Sequence, residues 1–250
     1  MANKNRVTAI SYLNTIPFVY GLQNTSIKDE ITLTLDYPAE SARKLLNGES
    51  DIGLVPVGAI PTIPNCKIVT DFCIGAQGPV RTVVLLSNSP IETLERVYLD
   101  YQSRTSVVLV KVLSQNLWKI KPEWTPFTPQ HTSNDIDPYD GLVIIGDKVF
   151  DHESKFKYKY DLAEEWIRLT GLPFVFAAWI SNKNVDTSFI EIFNNALKQG
   201  VESISEAVDL YPPQKISKID AEHYLRNNIS FNFNKEKREA LKLFWSLANL

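Results

Sequence analysis

Little in this sequence is suited to holding a metal ion. Its two cysteines, Cys66 and Cys73, stand seven residues apart among apolar neighbours and read as buried, reduced thiols. The three histidines, His131, His152 and His223, are scattered, so no His/Cys set has zinc-ligand spacing. Metal chemistry is not expected. Basic charge is not in excess either: 26 Lys and Arg stand against 29 Asp and Glu, a net charge of -3. That balance argues against a nucleic-acid partner, and the short alternating run "KFKYKYD" (residues 155–161) reads as a solvated face. No run approaches the ~20 apolar residues that cross a bilayer, so no membrane partner is expected. The start, "MANKNRVTAISYLNTIPF", lacks the apolar stretch of roughly 7–15 residues and the cleavage site of a secretory signal. A cytoplasmic location is the expectation. Also missing are a G-x-S-x-G elbow, a phosphate loop, a G-x-G-x-x-G turn after a strand and a basic helix-turn-helix. Their absence argues against a serine hydrolase, a nucleotide enzyme and a DNA-binding regulator.

What is present is an alternation of strand-like and helix-like segments along 250 residues, 44% of them hydrophobic. Residues 31–38, 51–60, two runs within 66–87, 95–100, 139–150 and 172–182 read as strands. Residues 39–48, 103–118 and 161–171 read as helices, the first stopping at Gly48 and the last at Gly171. From Asp186 onward the pattern is helical. The Pro-rich stretch 121–140 is the loosest, though "EWTPFT" within it has the character of an edge strand. Alternation of this kind predicts an α/β fold with largely parallel sheets. The late run of helices suggests that the chain returns to its first unit after building a second. No internal repeat interrupts this order.

In open parallel sheets, ligands bind beyond the carboxyl ends of strands. Four such places share one chemical character: Ser11, Asn14 and Thr15; Thr82 in "GPVRT"; Ser103, Thr105 and Ser106 in "SRTS"; and Gly146 with Asp147 in "IGD". Small hydroxyls, an amide and glycines at helix starts suit a small carboxylate without formal positive charge. Each place alone is also explained by helix capping or turn formation. Arg81 and Arg104 stand beside two of the turns, and both are expected to face solvent. From the residues themselves the reading is an α/β protein that binds a small polar anion.

The segments "SYLNTIPFVYGL" (11–22), "DIGLVPVGAI" (51–60), "DFCIGAQGPVRTVVLLS" (71–87), "LDYQSRTSVVLVKVL" (99–113), "IGDKVF" (145–150) and "DLAEEWIRLTGLPFVFAAW" (161–179) together resemble the chorismate dehydratases of the futalosine route to menaquinone. The resemblance runs over about residues 7 to 245. It implies a type II periplasmic-binding-protein-like fold: two α/β lobes, with the ligand site in the cleft between them. Lobe 1 is expected to span 1–87 and 180–250, and lobe 2 to span 88–179. It further implies a hydro-lyase that converts chorismate to 3-[(1-carboxyvinyl)oxy]benzoate and water without cofactor or metal. The family's motif positions map onto Asn14 and Thr82 as catalytic residues. They map onto Ser11, Thr15, Ser103, Thr105, Ser106, Gly146 and Asp147 as substrate-binding residues. Thr82 departs from the pattern in being threonine where serine is also used. The proton acceptor is left between Asp147 and the substrate's own enolpyruvyl carboxylate. The rival readings are a 1,4-dihydroxy-6-naphthoate synthase of the same pathway, a solute-binding protein without enzymatic activity, and a ligand-sensing domain.

Overall fold

The most apolar runs of the sequence lie in the interior of two sheets. The protein is described by a computed structural model over residues 4–250. The first sheet holds β1 (Asn5–Ile10), β2 (Ile31–Asp36), β3 (Ile52–Pro56), β4 (Lys67–Ala76), β10 (Phe174–Ser181) and β11 (Ser230–Asn232), in the order β11-β4-β10-β3-β1-β2. The second holds β5 (Val83–Ser87), β6 (Arg96–Asp100), β7 (Glu123–Phe127), β8 (Asp140–Ile145) and β9 (Tyr158–Asp161), in the order β7-β6-β8-β5-β9. Four of the interior strands, β3, β5, β8 and β10, are buried at every position, as strands covered on both faces are. β7 carries Pro126 and lies at an edge, where the missing N–H leaves no ladder bond unmade.

The helices are α1 (Ile16–Asn24), α2 (Pro38–Leu46), α3 (Thr105–Leu113), the short α4 (Val149–His152), α5 (Leu162–Thr170), α6 (Thr187–Glu202), α7 (Ile204–Leu210), α8 (Lys218–Asn227) and α9 (Lys235–Ala248). The boundaries of α5 follow from its caps. The Asp161 carboxylate accepts from the N–H groups of Ala163 and Glu164, and Gly171 ends the helix at φ 72°. The helix expected over 103–118 is α-helical only to Leu113. It then widens to a π-turn over Ser114–Trp118 and stops at Lys119 in the left-handed region. β11, three residues long, is too short to carry a legible alternation.

Helices α1 and α6 cross at backbone contact. A Cβ on Gly200 would lie 1.9 Å from the Pro17 carbonyl oxygen, and one on Gly21 would lie 2.0 Å from that of Ala196. Gly200→Ala is therefore expected to force the helices apart and cost about 3 kcal/mol, at the upper end of overpacking effects. Urea denaturation measures this, and an unchanged midpoint contradicts it.

Two expectations need correction. The sheets are mixed rather than largely parallel: of nine strand pairings, four are parallel and five antiparallel. The antiparallel ones all involve β5, β10 or β11, strands that begin where their neighbours end or that return at an edge. Sheet membership also shifts the crossings. β5 (83–87) was expected with the first unit but pairs with β8 and β9 in the second sheet. Residues 174–179 were expected with the second unit but pair with β3 and β4 in the first. The chain thus passes between sheets at 77–82 and again before Phe174. A ring cluster joins the units there: Trp166 of α5 lies 5.3 Å from Phe174 and 6.0 Å from Phe244 of α9, centroid to centroid. The carboxyl ends of β1, β3, β6 and β8 consequently face one another across a cleft.

Candidate active site

The strands β1, β6 and β8 end in polar turns, and these line a partly open cavity whose atom-free space, counting its mouth, is about 500 Å³. Its polar lining is Tyr12, Asn14, Thr82, Ser103, Thr105, Ser106 and Gly146, and Ile10, Ile74, Val80, Ile145 and Phe176 supply apolar wall. After β1 the chain makes a 3-10 turn over Leu13–Thr15 before α1 begins. Alternation along β1 continues past its end: Ile10 and Tyr12 face the cavity, and Ser11 is exposed.

Asn14 is half-buried, and its Oδ1 accepts from the Thr15 hydroxyl at 3.3 Å. Thr15 is fully buried and outside the cavity lining. Its hydroxyl thus points to the Asn14 amide rather than into the cavity. Thr82 is buried, with Oγ1 2.7 Å from the Tyr224 hydroxyl. Ser103 accepts from the Ser106 N–H at 3.0 Å, which caps the start of α3 and leaves its own O–H to donate. Thr105 lines the cavity, but its hydroxyl accepts from Gly58 N–H and donates to the Phe176 carbonyl, both at 3.1 Å. That hydroxyl is committed to joining the two units. The Gly146 N–H donates to the Thr82 carbonyl at 2.8 Å.

Ser11 and Asp147 do not reach the cavity. Both line grooves outside it: Ser11 through the alternation along β1, and Asp147 because Gly146 turns the chain at φ 68° and directs the next side chain away. The Asp147 carboxylate receives the Leu13 N–H from across the cleft at 3.2 Å. Burial pushes its carboxyl above the usual range, and the Leu13 N–H opposes this. The outer groove carries Tyr37 and Tyr101, both exposed, and Lys148, which pairs with the buried Asp100 at 2.7 Å. Arg81 is outside the lining. Its guanidinium lies over the Phe150 ring, 5.6 Å from the centroid. Among the described residues, no His, Cys, Asp and Glu side chains converge to hold a metal, and no helix is long and apolar enough to cross a membrane.

Two tyrosines were not singled out from the sequence. Tyr12 stands within the "SYLN" run, and the same alternation that excludes Ser11 would have flagged it. Tyr224 carries no local signal, since it arrives from α8, some 140 residues beyond Thr82. It is fully buried. Burial raises its phenol well above the usual range, while its hydrogen bond with Thr82 pulls it back. One neutral hydroxyl thus holds the Thr82 side chain at the cavity wall. Tyr224→Phe is expected to free it, lowering kcat about tenfold while costing about 1 kcal/mol of stability for the lost hydrogen bond. Steady-state kinetics beside a thermal melt check it, and undiminished kcat contradicts this role.

A family profile described as menaquinone biosynthesis matches residues 5–249. The chain is 24% identical over 233 residues to a chorismate dehydratase from Thermus thermophilus, a match covering 83% of each chain. A solved structure of a protein from Archaeoglobus fulgidus superposes at TM-score 0.78 with 15% identity, covering 99% of this chain and 97% of that one. The periplasmic aliphatic sulphonate binding protein of Escherichia coli superposes at TM-score 0.65 with 15% identity, covering 100% of this chain and 91% of that one. These superpositions assign a periplasmic-binding-protein-like fold of two α/β lobes.

Proposed function

The chain belongs to the menaquinone-biosynthesis family, and from that premise we propose that it is a cytoplasmic chorismate dehydratase, a hydro-lyase forming 3-[(1-carboxyvinyl)oxy]benzoate and water. The observation that carries the proposal is the character of the cavity: neutral donors at the ends of β1 and β6, with no cation, carboxylate, imidazole or thiol among the described residues of its lining. Neutral donors at a helix start suit a carboxylate substrate. The two lobes close on the substrate, contributing Asn14 from one side and Ser103, Ser106 and Gly146 from the other.

Dehydration removes the hydrogen from the ring carbon that bears the enolpyruvyl ether and the hydroxyl from its neighbour. That C–H is vinylogous to the ring carboxylate, so proton removal spreads charge onto the carboxylate. The Ser103 hydroxyl, the Ser106 hydroxyl and the Asn14 amide stabilise that charge as it grows, acting as an oxyanion hole does. Asn14 positions the substrate and donates; a carboxamide is too weak a base to take the proton. Asp147 lies outside the cavity with the Leu13 N–H on its carboxylate, which favours the substrate's enolpyruvyl carboxylate as the acceptor. Aromatisation then drives loss of the hydroxyl, and enclosure keeps water from competing.

Purified protein mixed with chorismate is expected to produce the ultraviolet spectrum of the aromatic product, equally with and without a chelator. An unchanged spectrum supports a binding protein instead. Turnover of cyclic dehypoxanthine futalosine with chorismate ignored supports a naphthoate synthase.

A further inference from the structure

The Tyr12 hydroxyl is buried and has no hydrogen-bonding partner among the described residues, although Tyr12 lines the central cavity and the two grooves outside it. Buried hydroxyls are almost always paired, so one left open at a cavity wall marks a donor reserved for a ligand. Its position is held by the opposite lobe. The ring packs on Gly146, where a Cβ would come within 2.9 Å of Cε1 and Cζ. The hydroxyl therefore meets the substrate only when the Gly146 turn is seated against it.

Chemistry singles out this hydroxyl among its neighbours. Hydroxide is a poor leaving group and departs readily only if it is protonated as the bond breaks. The other O–H and N–H groups of the lining are alcohols and an amide, far weaker acids than a phenol, whose ordinary pKa is about 10. On the chorismate dehydratase reading, we propose that the Tyr12 hydroxyl is the proton donor to the leaving oxygen. The ring C–H proton passes to the substrate's enolpyruvyl carboxylate, and its electron pair enters the ring. The neighbouring C–O bond breaks, and the phenol proton completes the water molecule. The phenolate regains its proton from the carboxyl group that received the ring hydrogen, so no external acid or base is consumed. Burial, followed by the charges of Asp100 and Asp147, pushes the Tyr12 phenol above its usual range. It is therefore fully protonated near neutral pH and holds a proton to give.

Tyr12→Phe keeps the ring on Gly146 and deletes only the donor. With wild type and variant assayed in parallel on chorismate, kcat is expected to fall about a hundredfold, within the range of general acid catalysis. KM should change less than about threefold, as expected of an interaction made only in the transition state. Difluorotyrosine placed at position 12, which lowers the phenol pKa, is expected to shift the alkaline limb of the kcat profile to lower pH. A purely structural tyrosine would not produce that shift, and the fluorinated protein provides the test even if the phenylalanine variant melts early. Wild-type turnover with an undiminished variant overturns the assignment of Tyr12 alone. So does a loss confined to KM, or an unmoved alkaline limb. Absence of turnover by the wild type overturns the dehydratase reading and this assignment together.

Discussion

Asn14→Ala is expected to lower kcat for chorismate about a thousandfold while leaving the fold intact. The amide lines the cavity and is held by a dedicated neighbour, the Thr15 hydroxyl, which donates to its Oδ1. Removing an oxyanion-type donor from a water-excluded site costs about 10²–10³ in kcat. Folding should suffer little, because Asn14 is half-buried in a turn and fixes no core packing. Appearance of the aromatic product, measured beside circular dichroism, tests this. Turnover within threefold of wild type would remove Asn14 from the mechanism.

Gly146→Ala should affect activity far more than stability. The residue has φ 68°, a conformation that costs an L-residue about 1–2 kcal/mol. A methyl group there would also meet the Tyr12 ring at 2.9 Å, and that contact is where the two lobes touch over the cavity. The ring can move away only by opening the cleft, which admits water and withdraws both Tyr12 and Asn14 from the substrate. A loss of about a thousandfold in kcat/KM is expected, with the melting temperature lowered by only a few degrees. Near-normal kcat/KM would contradict a role for this contact in closure.

Much of the fold could be read because each strand ended in a recognisable turn. The fully apolar runs that became β3, β8 and β10, and the Asp161 and Gly171 boundaries of α5, are local signals. Which sheet a buried strand joins is not a local signal: "VVLLS" and "FVFAAW" would be apolar in either, and so the crossings lay elsewhere than expected. The site divides in the same way. Asn14, Thr82, Ser103, Ser106 and Gly146 converge because strand ends point at the cleft. Ser11, Thr15 and Asp147 share those turns but face outward or into the core, a difference set by one-residue alternation and by the left-handed turn at Gly146. Thr105 reaches the cavity with its hydroxyl already engaged by Gly58 and Phe176. Tyr224 was invisible because tertiary packing alone brings α8 to Thr82.

The most direct test of the account is a crystal structure of the wild-type protein with 3-[(1-carboxyvinyl)oxy]benzoate bound. The account predicts the aromatic ring enclosed between the lobes, its carboxylate at the Ser103–Ser106 turn, and the Asn14 and Tyr12 side chains within hydrogen-bonding distance. A product molecule bound in the outer groove beside Ser11 and Asp147, with the central cavity empty, would contradict it.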